Sequence, residues 1–146
     1  MFTEKYKPIL PADVYVTEAQ RTAVIADRRN GIPHPEITSI RLTGNNFMDL
    51  FASLVEGGGG LMVKNLAKRM GVKPRLITPA IEAMTGLPAH EWVKRYLHLS
   101  ACDKLRNGYH RVSDIAHMLG FRSVSSFSHF FYRLEHCHPK KYRTTN

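Results

Sequence analysis

The sequence predicts an all-α protein made of two similar helical units, a long helix between them and a short N-terminal extension. Two observations predict the helices: apolar side chains recur at three- and four-residue spacing, and Gly or Pro stands where each run stops. A third predicts the paired architecture, because one short pattern of polar, aliphatic, Ala, Gly and apolar residues occurs twice. A chain of 146 residues suits one domain with one core.

Residues 1–44 form an N-terminal extension whose composition differs from the remainder. Thr17 and Gln20 make a capping box, which predicts a helix over about residues 17–29 that an Asn-Gly pair stops. Residues 37–42 alternate apolar and polar side chains and allow a short strand. So short a segment buries little by itself. We expect it to brace the rest of the protein, to cover its binding face or to dimerise the chain.

The first helical unit is predicted over residues 47–88, within a domain that spans 45–146. Asn46 caps its first helix, which four consecutive glycines end, and a second helix follows from Val63 to Met70. The third contains Pro79, and a proline inside a helix costs about 3 kcal/mol. A shorter or kinked helix that starts afresh at the preceding threonine is therefore an alternative. The apolar stripe of the first helix comprises Phe47, Leu50, Phe51, Leu54 and Val55.

A linker helix over 89–107 leads to the second unit, 109–143, in which the pattern recurs. Residues 65–72 align with residues 114–121 in the order polar, aliphatic, Ala, variable positions, Gly and apolar. A short helix, a turn with Gly and another helix form a helix-turn-helix, whose second helix enters the major groove of DNA. The repeat makes this prediction more specific than either copy alone. The side chains predicted to face the core are Trp92, Tyr96, Leu99, Phe127, Phe130 or Phe131, and Leu134.

The charge distribution agrees with a nucleic-acid partner. The chain has 21 Lys and Arg against 12 Asp and Glu, a net charge of +9, and +8 of it falls after Gly44. Such an excess suits a phosphate backbone or an anionic membrane, and its concentration on the repeated units favours DNA over membrane. Two cysteines are too few for a disulfide framework, and neither a signal peptide nor a membrane-length apolar run is present. We therefore expect a cytoplasmic protein.

Catalytic and metal chemistry are not predicted. His129, His136, Cys137 and His138 lie close together but lack the usual zinc-ligand spacing, and Cys102 lies in the linker-helix pattern with no orienting carboxylate indicated. The glycine run does not end in Gly-Lys-Ser/Thr, so it is not a phosphate loop. We expect no enzyme activity, no metal and no cofactor.

The second unit resembles the AraC/XylS family of bacterial transcription regulators. The resemblance rests on Ser113-Asp114-Ile115-Ala116, Leu119-Gly120-Phe121, Ser123, Ser125, Phe127-Ser128, Phe130-Phe131, and then Pro139 with Tyr142-Arg143. Upstream, Thr85-Gly86, Glu91-Trp92-Val93 and Tyr96-Leu97 resemble the end of that family's first unit and its linker helix. The resemblance implies two helix-turn-helix subdomains that bind adjacent major grooves on one face of double-stranded DNA.

The resemblance also implies roles for individual residues. Ser125, Ser126 and His129 fall at base-reading positions, and Arg122 lies at the groove entrance. His129 stands where Arg is usual, which removes bidentate guanine recognition and softens specificity. In the first unit Arg75 and Thr78 fall at groove-facing positions, with less readout expected. The residues assigned to phosphates are Lys73, Arg133, Lys140, Lys141 and Arg143.

The function predicted from the sequence is sequence-specific DNA binding that regulates transcription. The extension is too short for the ligand-binding barrel found in many members of the family. The resemblance therefore implies a stand-alone activator, as the smaller members are. RNA polymerase is a further candidate partner. The alternative is an adaptor that binds another protein and contacts DNA only non-specifically. The salt dependence of binding to random and to selected duplexes distinguishes the sequence-specific regulator from the adaptor.

Overall fold

The computed structural model describes residues 7–34, 39–59 and 63–146, and within these ranges the chain is helical and contains no β-strand. The predicted all-α class is therefore confirmed. Of the predicted strand 37–42, residues 37 and 38 lie outside the described ranges. The remainder forms only one bridge, in which the Arg41 amide donates to the Val14 carbonyl at 2.8 Å. The helices are α1 Pro11–Val14, α2 Glu18–Arg29, α3 Asn46–Leu54, α4 Val63–Met70, α5 Pro74–Thr85, α6 Ala89–Asn107, α7 Val112–Met118, α8 Val124–Glu135 and α9 Pro139–Thr145.

The repeat seen in the sequence is also a repeat in structure. In the first turn the Val72 amide donates to the Ala67 carbonyl at 2.9 Å, and in the second the Phe121 amide donates to the Ala116 carbonyl at the same distance. Both alanines are buried where the helices of each pair meet. The helices after the turns, α5 and α8, have 12 residues each. The chain therefore builds the same helix-turn-helix twice.

The helix-turn-helix turn of the second unit touches the segment that follows α3 in the first unit, and glycine stands on both sides of the contact. Gly120 has a φ of +89°, and a Cβ built on it would lie 2.2 Å from the carbonyl oxygen of Gly58. Gly58 lies in the segment Val55–Gly59 that follows α3 and has a non-helical φ of +87°, so the helical conformation is broken within the predicted glycine run. Backbone meets backbone here, so the second unit approaches the first more closely than any side chain would allow.

The core is centred on α6, which lies between the two units and is buried on several sides. Trp92 stacks on Tyr96 with ring centroids 5.5 Å apart, and Phe51 from α3 contacts Trp92 at 5.4 Å. Trp92 and Tyr96 are buried as predicted, and Leu99 is only partly buried. Burying large apolar side chains contributes about 1.5–3 kcal/mol each, so this junction fixes the position of α6.

Helix α3 is rotated relative to the predicted stripe. Asn45, and not Asn46, caps it by accepting the amide hydrogen of Met48 at 3.1 Å. Met48 is fully buried, while Leu50 is 45% exposed although the predicted stripe included it. Met48, Phe51, Ala52 and Val55 also follow helical spacing, so spacing alone could not select between two overlapping stripes.

The extension packs against α6 and α5. The indole N–H of Trp92 donates to the Ile9 carbonyl at 2.9 Å, and the Ile9 amide donates to the Met84 carbonyl at 3.1 Å. Val14 and Tyr15 from the extension join the same apolar cluster as α3 and α6. The predicted helix is present as α2, and its predicted capping box of Thr17 and Gln20 is formed.

A buried polar cluster fastens the extension to the end of α6. Asp103 is 5% exposed and accepts hydrogen bonds from the Tyr15 hydroxyl at 2.7 Å and the Glu18 amide at 2.8 Å. Burial alone would raise the pKa of Asp103, but these bonds and one from Asn107 outweigh it and hold the pKa below its ordinary value. Lys104 is 2% exposed and lies 3.1 Å from a Glu18 oxygen. Both buried charged residues of α6 therefore have partners from the extension.

Candidate nucleic-acid interface

Helix α8 presents a polar face to solvent and an aromatic face to the core. Phe127 and Phe131 are fully buried, while Ser125, Ser126 and His129 are exposed. The Ser123 hydroxyl caps the helix by accepting the Ser126 amide hydrogen at 3.1 Å. This cap fixes the start of α8, so the three predicted base-reading residues occupy its first turns and face outward.

The Ser126 hydroxyl already has a hydrogen-bonding partner within the protein. It lies 3.1 Å from the Ser123 hydroxyl, and either oxygen can donate. Arg122 is exposed immediately before the cap. The hydroxyl pair and Arg122 form a polar, hydrogen-bonding rim at the N-terminus of α8.

A shallow concave surface continues this face toward α9. His129 and Arg133 line it together with Tyr132 and His138. The Tyr132 and His138 rings lie 4.9 Å apart and join the end of α8 to the residue before α9. The surface therefore combines hydrogen-bonding side chains with aromatic rings. Lys140 and Lys141 are exposed on α9.

In the first unit the equivalent helix α5 is continuous through Pro79. The alternative of a helix that starts afresh at Thr78 is therefore wrong: α5 begins at Pro74, where a proline in the first turn needs no amide partner. Pro79 lies inside the helix, where the hydrogen bond that an amide would make to the Arg75 carbonyl is lost. Arg75 is exposed and Thr78 half-buried. The exposed face also includes Glu82, whose charge repels phosphate.

A basic groove accompanies the first turn. Lys64 and Lys68 from α4 line it together with Lys73, the residue before α5. Lys73 was predicted from the sequence as a phosphate contact, whereas Lys64 and Lys68 were not. The four-residue spacing of these two lysines on one helix was the available signal, since it places them on the same face.

Arg143 contacts the protein itself. Its Nε donates to the Leu105 carbonyl at 2.9 Å, and one terminal nitrogen donates to the carbonyls of Lys104 and His110. These carbonyls belong to the end of α6 and the loop after it, and the Lys104 carbonyl also accepts the Gly108 amide hydrogen at 3.2 Å. Arg143 thus caps the carbonyl end of α6, a role that its position in the sequence did not indicate.

The second recognition helix ends in a strained residue. His136 has a φ of +61°, and among the residues that the structure describes no other non-glycine residue has a positive φ. At the same point of the first unit Gly86 has a φ of +78°.

Three side chains of types that bind metal ions lie close together where α6 and α8 meet. His98 and Cys102 from α6 and Glu135 from α8 place one ligand atom each within 4.8 Å of one another. Burial raises the pKa of the Cys102 thiol. In the sequence, the histidines adjacent to a cysteine are others, and no carboxylate is indicated as a partner of Cys102. Glu135 is 33 positions away, so only the fold brings it there.

Two helix-turn-helix units whose second helices present polar faces define a DNA-binding protein. A family model described as a helix-turn-helix domain matches residues 66–145. The chain belongs to this AraC-type family of transcription regulators, which bind DNA rather than act as enzymes.

Solved structures with the same fold include three regulators. The C-terminal domain of the two-component response regulator YesN from Fusobacterium nucleatum is 18% identical; it covers 68% of this chain and 99% of its own, with a TM-score of 0.57. The DNA-binding domain of AdpA, in complex with a target DNA, is 24% identical over 67% of this chain and 89% of its own, also at 0.57. The xylose-binding transcription activator XylR is 17% identical over 88% of this chain and 38% of its own, at 0.54.

The comparison with curated protein sequences found no match. Within the described residues, no helix combines the length and the apolar character that crossing a membrane requires.

Proposed function

We infer that the protein binds specific sequences of double-stranded DNA, with α5 and α8 in adjacent major grooves. The observation that carries this proposal is the exposed polar face at the start of α8, held by a capped first turn and backed by buried phenylalanines. A helix presented in this way fits the major groove, where each base pair has a distinct pattern of donors and acceptors. The DNA-binding domain of AdpA, which has the same fold, is in complex with a target DNA in its solved structure, and this supports DNA as the partner.

Base recognition is assigned mainly to the second unit. Ser125 and His129 lie on the exposed face of α8, with Arg122 and Ser126 at its start. A serine hydroxyl or an imidazole forms single hydrogen bonds with base edges, whereas Arg grips guanine with two. Specificity at these positions is therefore modest for each base and depends on several contacts together.

The first unit is assigned a smaller share of recognition. Arg75 is its exposed long donor, Thr78 is half-buried, and Glu82 faces the same side with a charge that phosphate repels. Arg75 reaches a base edge, and Thr78 makes a shorter contact. The lysine groove of this unit supplies phosphate binding more than base readout.

Phosphate contacts are assigned to exposed cations around both recognition helices. Each neutralised phosphate releases condensed counterions, so binding weakens with salt by a slope of about 0.9 per contact. Arg143 is left out, because its guanidinium is hydrogen-bonded to three backbone carbonyls. The assigned residues are Lys64, Lys68, Lys73, Arg133, Lys140 and Lys141.

In this proposal residues 1–44 brace the DNA-binding domain, residues 45–146. The support is the set of contacts between the extension and α6, which bury Asp103 and Lys104. The bracing leaves both recognition helices free to meet DNA.

The proposal is tested by selecting duplexes from a random pool and measuring affinity by fluorescence anisotropy at several salt concentrations. The selected duplex should bind about 10³-fold or more tightly than a scrambled one. The double variant Ser125→Ala/His129→Ala should lose about 0.5–1.5 kcal/mol of discrimination per base contacted, as expected for single hydrogen bonds. The matched control Lys140→Ala/Lys141→Ala should weaken both duplexes equally. A steep salt slope with no preference for any sequence would leave only the adaptor function.

The unequal shares of the two units have their own test. Arg75→Ala/Thr78→Ala should change the selected sequence less than Ser125→Ala/His129→Ala does. Equal changes in base preference would contradict the division of roles.

A further inference from the structure

The group formed by His98, Cys102 and Glu135 lies on the side of α8 turned toward α6. His98 and Cys102 are four residues apart on α6, which places both side chains on one face. Glu135 is the last residue of α8 and approaches from the opposite side. Its Oε2 lies 2.5 Å from His98 Nε2 and 3.7 Å from Cys102 Sγ. Two helices thus bring a nitrogen, a sulfur and an oxygen donor to one point.

We propose that His98, Cys102 and Glu135 bind a Zn²⁺ ion that ties the linker helix to the second recognition helix. Zinc takes imidazole, thiolate and carboxylate ligands at about 2.0–2.3 Å in a tetrahedron, so its ligand atoms lie about 3.3–3.6 Å from one another. The sulfur–oxygen separation is already close to this value. The imidazole–carboxylate pair has to open by less than an ångström, and the ion replaces their hydrogen bond.

The surroundings allow an ion to enter and hold the ligands in place. The His98 and Glu135 side chains are 32% and 27% exposed, whereas Cys102 is 7% exposed and lies deeper. The edge of the His98 ring packs against Phe131 with centroids 6.2 Å apart, which orients the imidazole. An ion therefore approaches from the exposed side, and three protein ligands leave a fourth position for water.

The donor set argues for zinc over a hard cation. Ca²⁺ and Mg²⁺ require six or more oxygen ligands, and one carboxylate in this group cannot supply them. A thiolate with an imidazole suits zinc and similar transition metals. The site is separate from the exposed face of α8, so metal binding does not depend on the proposed DNA contacts.

The test uses the purified, reduced and metal-free full chain with Co²⁺ as a spectroscopic probe. We expect one Co²⁺ per chain, a thiolate-to-cobalt charge-transfer band, and displacement of that band by Zn²⁺. Cys102→Ser should abolish the band, and Glu135→Gln should weaken Co²⁺ binding by about tenfold or more. Far-UV circular dichroism checks that each variant keeps its helices. Zn²⁺ should also raise the melting temperature of the unaltered protein more than that of Glu135→Gln.

Cys137→Ser is the matched control, because Cys137 is the other free cysteine and lies outside the group. This variant should keep the cobalt band. A band that disappears in Cys137→Ser and persists in Cys102→Ser would place the metal on the histidine-rich end of α8 and overturn the proposal. Absence of any sulfur-to-cobalt band in the folded chain would overturn it too, and would leave the group as an ion pair beside a buried thiol.

Discussion

Replacing Gly120 by Ala is expected to destabilise the protein more than the equivalent change at Gly71. Both residues lie in the turn of a helix-turn-helix with positive φ, +89° and +72°. A residue with a Cβ in this left-handed region costs about 1–2 kcal/mol. At Gly71 that is the whole cost, because a Cβ there meets nothing within 4 Å.

At Gly120 a second cost is added by the backbone of the other unit. The new Cβ would lie 2.2 Å from the Gly58 oxygen and 3.0 Å from its carbonyl carbon. Ordinary contact begins at 3.4 Å, so the Gly120 turn and the backbone at Gly58 must separate by more than an ångström. Overpacking of this kind costs about 1–3 kcal/mol. The total for Gly120→Ala is therefore about 2–5 kcal/mol.

Urea denaturation followed by far-UV circular dichroism measures the difference between the two variants. At about 2–4 °C per kcal/mol, thermal melting should show an additional loss for Gly120→Ala of about 2–12 °C. Equal destabilisation of the two variants, within about 0.5 kcal/mol, would refute the close approach of Gly120 to Gly58. In that case strain in the turn alone would explain both results.

Three further outcomes are expected. His136→Gly should raise the free energy of unfolding by about 1 kcal/mol, because Gly adopts the left-handed conformation without strain. Arg143→Ala should lower the free energy of unfolding by about 1.5–3 kcal/mol, because charged hydrogen bonds are lost. Lys140→Ala, the comparison variant, should change the free energy of unfolding by less than about 0.5 kcal/mol and should reduce the salt slope of DNA binding by about 0.9. Ionised Asp103 stabilises the fold at neutral pH, because its pKa in the native state is depressed. This stabilisation is fully present above about pH 3.9 and is lost as the pH falls through the native pKa. Asp103→Asn should remove this part of the acid dependence.

Each outcome has a result that would contradict it. Destabilisation by His136→Gly would mean that the imidazole makes a contact worth more than the backbone strain. A reduced salt slope for Arg143→Ala, with stability unchanged, would return Arg143 to the phosphate contacts. An unaltered acid titration of unfolding in Asp103→Asn would assign the acid dependence to other carboxyl groups.

Local signals predicted most of the helices. Thr17 and Gln20 gave the start of α2, and Gly71 and Gly120 gave the ends of the first helix in each pair, since caps and turns depend on residues close in sequence. The duplicated Ala and Gly positions predicted the paired architecture for the same reason. The face of α3 was less well determined, because two apolar stripes overlap on it.

Long-range contacts could not be predicted in this way. Arg143 resembled a surface cation in the sequence, and only the fold brings it to the carbonyls at the end of α6. Glu135 meets His98 and Cys102 across 33 or more positions. The continuity of α5 through Pro79 reflects its packing, in which Ile77 and Ile81 are fully buried on either side of the proline. Such burial offsets a local preference against helix.

The pairing of Asp103 and Lys104 with the extension has a consequence for modularity. A fragment cut at the sequence boundary near residue 45 would keep both recognition helices and lose Tyr15 and Glu18, the partners of two charges at the end of α6. It would also lose the carbonyl that receives the indole hydrogen of Trp92. The smallest portable unit for a fusion or a chimeric regulator is therefore larger than the pair of helix-turn-helix motifs and includes the extension from Ile9 onward.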